Sequence, residues 1–141
     1  MDFNNIHFRP ELHRALDAMG YKQLSPIQEQ TILPIIEGRD IIGVAQTGSG
    51  KTGACAVPLI QLIDETLKAV QVLVLVPTRE LAMQYVDESV RIARYTDINA
   101  AEICGGIPMF VQRQQLSQGV HFLVATRGRL IDWLHSGDLD F

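Results

Sequence analysis

The chain has 141 residues, 47% of them hydrophobic, and a formal net charge of −4. That length fits one domain and not two, and a domain of this size buries roughly two-thirds of the surface its unfolded chain exposes. The acidic balance excludes a generic basic nucleic-acid binder, so any nucleic-acid site must be local, built from a few Arg side chains and backbone N–H groups.

Pro10 to Met19 predicts a short helix: Pro10 suits the first turn, Leu12, Ala15, Leu16 and Met19 fall on one face, and Gly20 is a natural stop. A second helix is expected from Ser25-Pro26 to about Glu37, ended by Gly38. Asp40 to Ala45 reads as a strand, followed by a Gly-rich turn and a helix from Lys51 to about Lys68. Val72 to Val76 is a continuous apolar run, expected to be a strand buried on both faces. A helix over about Thr78–Tyr95, a short strand over Ala100–Cys104, a helix over Pro108–Gln118 and a buried strand over His121–Ala125 follow, and Leu130–Leu134 closes as a short helix. Strands alternating with helices predict βαβ units, hence an α/β fold with a parallel sheet covered by helices on both faces. Ligands on such sheets bind at the carboxyl ends of the strands. The run Asp138-Leu139-Asp140-Phe141 ends with no further strand, and is read as a truncation point.

Met1-Asp2-Phe3-Asn4-Asn5 has neither a basic nor an apolar stretch of a signal peptide, and no apolar run approaches the roughly 20 residues of a membrane span. Cys55 and Cys104 lie in apolar stretches without metal-ligand spacing and read as buried, reduced thiols. His7, His13, His121 and His135 are scattered and are assigned no role.

The strongest chemical signal is Ala45-Gln46-Thr47-Gly48-Ser49-Gly50-Lys51-Thr52, followed by Gly53, between an expected strand and an expected helix. It matches the P-loop pattern G-x-x-x-x-G-K-[S/T] except at its first position, Ala45. Successive backbone N–H groups and a helix N-terminus make an anion nest for phosphates. Lys51 is expected to reach the β- and γ-phosphates of ATP, and Thr52 to place its hydroxyl on Mg²⁺. Upstream, Ser25-Pro26-Ile27-Gln28 has the spacing of a capping box. A Gln amide, which both donates and accepts, can equally read an adenine edge.

Gly20 through Gln28 resembles the Q motif of the DEAD-box RNA helicases, and Phe3, seventeen residues before Gly20, resembles that family's isolated upstream aromatic. The resemblance continues in order. Ala45–Thr52 resembles motif I, where Ala is usual in the first position. Pro77-Thr78-Arg79-Glu80-Leu81 resembles motif Ia, Gly105-Gly106 the GG element, and Thr126-Arg127-Gly128-Arg129 motif Ib. Arg127 departs from the family's proline, restoring a backbone donor and adding a charge.

The resemblance implies an N-terminal RecA-like core domain in which Gln28 reads adenine and Phe3 stacks on it, with ATP and Mg²⁺ as cofactors. It implies RNA as partner, held by backbone contacts of Pro77, Thr78, Arg79, Gly105, Gly106, Thr126, Gly128 and Arg129. The structural alternatives are a terminal aromatic packed on the first helix for Phe3, an N-cap for Thr78, and solvated charges for Arg79 and Arg129. A helical element over residues 1–38 and a partial P-loop domain over 39–141 are expected to form one structural domain. The sequence lacks the family's Asp-Glu-Ala-Asp and Ser-Ala-Thr elements and a second RecA-like domain. The expectation is therefore an ATP-dependent RNA helicase as parent, cytoplasmic (or nuclear in a eukaryote), with negligible hydrolysis by this segment alone. The alternative is a standalone nucleotide-binding or interaction module.

Overall fold

A computed structural model describes residues 1–137, 139 and 141; Asp138 and Asp140, in the segment read as a truncation point, lie outside the described residues. The elements run in the order 3₁₀ helix Phe3–Asn5, α1 Pro10–Ala18, α2 Pro26–Ile36, α3 Lys51–Leu62, β1 Val72–Val76, α4 Arg79–Ile92, β2 Ala100–Ile103, α5 Met109–Ser117, β3 Phe122–Thr126 and α6 Arg127–Ser136. The chain folds into two compact units, one of residues 1–62 and 91–97, the other of residues 63–90 and 98–141.

The first unit is helical. Helices α2 and α3 pack together, and Phe3, Leu12, Leu16, Ile32 and Ile60 are fully buried in its core. Arg9 closes the end of α3: its guanidinium donates to the carbonyls of Ile60 and Gln61 at 2.8 and 3.2 Å, and its backbone N–H to Gln61 Oε1 at 2.9 Å. These are carbonyls of the last turn, where a cation is also favoured by the helix dipole.

The second unit carries the sheet, in the order β1-β3-β2, all parallel. Central β3 is buried from Phe122 to Ala125. On one side Leu123 and Ala125 join Ile103, Leu130 and Trp133 in a core cluster. His121, 1% exposed, ties the amino ends of the strands together: its Nδ1 accepts from the Asn99 N–H at 3.0 Å, and its Nε2 lies 3.2 Å from the Glu65 carbonyl. The first contact leaves Nδ1 as acceptor, so the ring proton sits on Nε2 and is donated to Glu65.

The α/β class with a parallel sheet is as expected, and three details differ. Asp40–Ala45 is not a strand; Ile42 and Val44 are 97% and 90% exposed. Its composition suits a strand, but a strand exists only where its N–H and C=O groups find a ladder partner. Among the described residues its unit offers only an isolated bridge between Asp2 and Gln23. Second, β1 is a sheet edge, not a strand buried on both faces: Leu73 and Leu75 are 38% and 59% exposed. The apolar run reports β-propensity, whereas burial depends on neighbours the run does not encode. Third, α3 ends at Leu62 rather than Lys68, because the chain turns at Asp64, whose carboxylate accepts from the Thr66 N–H and hydroxyl.

Candidate functional site

The P-loop residues lie in the first unit, on the turn that opens α3. Gly48 and Gly50 have φ of +82° and +89°, the left-handed region that a side chain disfavours. At Gly50 space forbids a side chain as well: a Cβ would lie 2.7 Å from Gln28 Nε2 and 2.9 Å from Ser25 Oγ. At Gly53 a Cβ would lie 3.1 Å from Gln28 Nε2 and 3.3 Å from Tyr21 Oη. Lys51 Nζ donates to the Ala45 carbonyl at 2.7 Å, and the Ser49 hydroxyl to the Gln46 carbonyl. Gln46, Thr47 and Lys51 are exposed, and Thr52 is half-buried in the first turn of α3. The first N–H groups of a helix lack acceptors within it, so this turn presents donors and an ammonium to whatever anion enters.

The residues of the Q-motif resemblance pack directly under this turn. Gln28 is 3% exposed. Its Oε1 accepts from the Ser25 N–H at 2.9 Å, the cap arm expected at the start of α2, and its Nε2 donates to the Gly50 carbonyl at 3.2 Å. One amide therefore caps a helix and grips the P-loop together. Each amide atom keeps a second site, a lone pair on Oε1 and an N–H on Nε2. The Ser25 hydroxyl is buried and has no hydrogen bond of ordinary geometry among the described residues. Phe3 is placed behind Tyr21: it is 2% exposed, with its ring 5.3 Å from the Tyr21 ring at 59°. A depression lined by Tyr21, Leu24, Ser25, Gln28, Gly48 and Gly50 opens beside the turn.

The other motif residues gather in the second unit, at the carboxyl edge of the sheet. Strand register explains why. Val76 pairs with Thr126 and Ile103 with Ala125, so Pro77 and Arg127 leave the sheet at one level and Cys104 one residue before it. Thr78 Oγ1 accepts from the Leu81 N–H at 3.2 Å, capping α4. The Arg79 guanidinium lies against Gly106 (φ +86°), where a Cβ would meet its Nη1 at 2.6 Å. Arg129 Nη1 donates to the Ile107 carbonyl at 2.7 Å and to Gln112 Oε1 at 3.2 Å. Thr126 is the extended cap residue of α6, and Arg127 and Gly128 are exposed in its first turn, which holds no acidic residue. Burial, with a smaller contribution from Glu102, holds the Cys104 thiol above its ordinary range, while Arg79 and Arg129 pull the other way.

Gln112 and Tyr21 are the contributors that sequence reasoning missed. Tyr21 sits within the quoted Gly20–Gln28 element, and its position in the depression could have been suspected from that. Gln112 carried no signal beyond being a polar residue on a helix.

The DEAD/DEAH box helicase family matches residues 25–140. The chain is 42% identical over 139 residues to the ATP-dependent RNA helicase DeaD of Escherichia coli K12, covering 98% of this chain and 22% of that protein. It is 40% identical over 132 residues to the DEAD-box ATP-dependent RNA helicase CshA of Streptococcus pneumoniae, covering 94% of this chain and 25% of that one. A crystal structure of a hypothetical ATP-dependent RNA helicase from Sulfolobus tokodaii superposes with a TM-score of 0.84 at 35% identity, over 92% of this chain and 37% of that one. The chain therefore belongs to the DEAD/DEAH box helicase family, and it spans about a quarter or less of the length of these curated relatives. No helix among the described residues is long and apolar enough to cross a membrane.

Proposed function

We propose that this chain is the ATP-binding part of an ATP-dependent RNA helicase, and that its parent couples ATP hydrolysis to local unwinding of RNA duplexes. The observation that carries the reading is the double hydrogen bond of Gln28, from the Ser25 N–H and to the Gly50 carbonyl. It joins the Q-motif resemblance to the P-loop. The remaining lone pair and N–H of that amide are the acceptor and donor that an adenine edge demands, whereas guanine presents the opposite pattern.

Lys51 and the N–H groups of Ala45–Gly53 bind the phosphates in this reading. Thr52 would hold Mg²⁺ through its hydroxyl, and the ion would offset the charge of the phosphates. Its place in the first turn of α3 fits that role, and no cluster of three or more His, Cys, Asp or Glu among the described residues offers a rival cation site. Phe3, expected to stack on the adenine, is 2% exposed against the Tyr21 ring, so in this reading it supports base selection through Tyr21. Pro77, Thr78, Arg79, Gly105, Gly106, Thr126, Gly128 and Arg129 hold the RNA backbone, positioning the strand without reading its sequence. Hydrolysis needs an acidic residue after a later strand and an arginine finger, so a second RecA-like domain is the expected partner in the parent. A cytoplasmic location accords with this role.

The test is ATP turnover by the chain and by its full-length parent, each with single-stranded RNA or with DNA of matching sequence. The reading expects negligible turnover by the chain and RNA-stimulated turnover by the parent. Stimulation by DNA but not RNA contradicts it.

A further inference from the structure

Gln112 is fully buried in the second unit, at 0% exposure. A buried amide costs free energy unless every polar atom is met, and a Leu or Met would fill the same space without that demand. Here the amide is met from three directions. Its Nε2 donates to the Cys104 carbonyl at 3.0 Å, and its Oε1 accepts from Arg129 Nη1 at 3.2 Å and from Trp133 Nε1 at 3.3 Å. Cys104 directly precedes Gly105-Gly106. Arg129 Nη1 also donates to the carbonyl of Ile107, which directly follows them. One side chain thus pins the glycine loop at both ends, at Cys104 directly and at Ile107 through Arg129.

The same bonds set the orientation of Arg129. With Nη1 committed to Ile107 and Gln112, and Nε facing Asp132 at 3.9 Å, the guanidinium is held with 15% of its side chain exposed. A cation so fixed meets a phosphate without losing rotamer freedom on binding. The pinned loop also carries Gly106, against which Arg79 lies.

We propose that Gln112 is a positioning residue for the nucleic-acid interface: it orients Arg129 and fixes the Gly105-Gly106 loop so that both meet the strand backbone. The inference rests on the RNA reading above. It adds a residue that touches no ligand yet sets affinity through one that does.

The test is anisotropy binding of a labelled oligouridine to the chain at several salt concentrations. The variants are Gln112→Met, Arg129→Ala, their combination, and Leu116→Ala as a control. Leu116 packs partly buried on the core cluster from the same helix α5, so its truncation weakens packing without removing a bond to Arg129. Gln112→Met is expected to bind about tenfold more weakly and to flatten the salt slope by about 0.7, the share of one single-strand phosphate. The double variant is expected to be no weaker than Arg129→Ala alone, because both act through one contact. Leu116→Ala is expected to bind like the unsubstituted chain. Gln112→Asn keeps the amide chemistry but shortens its reach by one methylene. It is expected to lose affinity in the same direction, and it serves if Gln112→Met does not fold. Parental affinity and slope in both Gln112 variants, or losses that multiply in the double variant, overturn the inference and leave the RNA reading intact. No RNA binding by the unsubstituted chain overturns that reading and this inference with it.

Discussion

Lys51 Nζ donates to the carbonyl of Ala45 at 2.7 Å, so the cation of the P-loop is held by the loop's own backbone. The ammonium has three N–H donors, so two remain for a bound phosphate, and a charge-assisted bond to phosphate is stronger than one to a carbonyl. Lys51 is exposed, so its bond to Ala45 adds little to stability. Lys51→Ala is expected to weaken nucleotide binding between about tenfold and a hundredfold, the worth of a charged hydrogen bond. Its urea-unfolding free energy should stay within about 0.5 kcal/mol of the parent. Unchanged affinity by titration calorimetry contradicts the assignment.

Gly50 is constrained twice, by its φ of +89° and by the Gln28 and Ser25 side chains that a Cβ would strike. Gly50→Ala is expected to destabilise the chain by about 1–3 kcal/mol in urea unfolding. Gly48→Ala shares the backbone strain (φ +82°) but meets nothing within 4 Å, so it should cost less. Equal costs would show that the packing of Gln28 under the loop is unimportant.

Arg127 opens α6 where the family resemblance has proline. Thr126 before it is extended, with φ −84° and ψ 149°, the conformation that a residue preceding proline prefers. The first helical position also accepts proline. Arg127→Pro is therefore expected to leave stability unchanged or raise it by up to about 1 kcal/mol. Removing a cation from a helix N-terminus that already holds Arg129 should lower RNA affinity and cut the salt slope by about 0.7. An unchanged slope shows that Arg127 does not meet the strand.

Cys104 is fully buried with its thiol pushed up by burial, and Cys55 is half-buried. Only the thiolate reacts, so iodoacetamide at neutral pH is expected to label Cys55 first and Cys104 only on unfolding. The raised thiol also has a signed consequence. An unfolded Cys104 loses its proton at a lower pH than the folded one, so this contribution to stability is complete below the ordinary thiol range and declines as the pH rises through it. Mass spectrometry of the labelled chain checks the first point, and alkylation of Cys104 as fast as Cys55 contradicts it.

The motifs legible in the sequence were those whose chemistry is local. The Ser25–Gln28 cap and the turn before α3 follow from spacing over a few residues, and the structure places both there. The alternative weighed for Thr78 is also present, as a cap on α4, whereas the Phe3 ring packs against Tyr21, beyond the end of the first helix. Asp40–Ala45 misled because composition reports β-propensity while a strand needs a partner ladder. Gln112 and His121 were invisible for a related reason. Each gains its place from segments distant in sequence, Cys104, Arg129 and Trp133 for one, Glu65 and Asn99 for the other. No local pattern marks such a convergence.

The central claim is that the Gln28 amide and the P-loop form one adenine-nucleotide site. Equilibrium binding of fluorescent ATP, ADP and GTP analogues with Mg²⁺, to the parent chain, Lys51→Ala and Gln28→Ala, tests it most directly. The account predicts that adenine nucleotides bind and GTP does not, that Lys51→Ala loses the phosphates, and that Gln28→Ala erases the preference for adenine. If the folded chain binds both bases equally, and Gln28→Ala costs only the ~1 kcal/mol of a lost cap, then Gln28 is a structural residue and the claim fails.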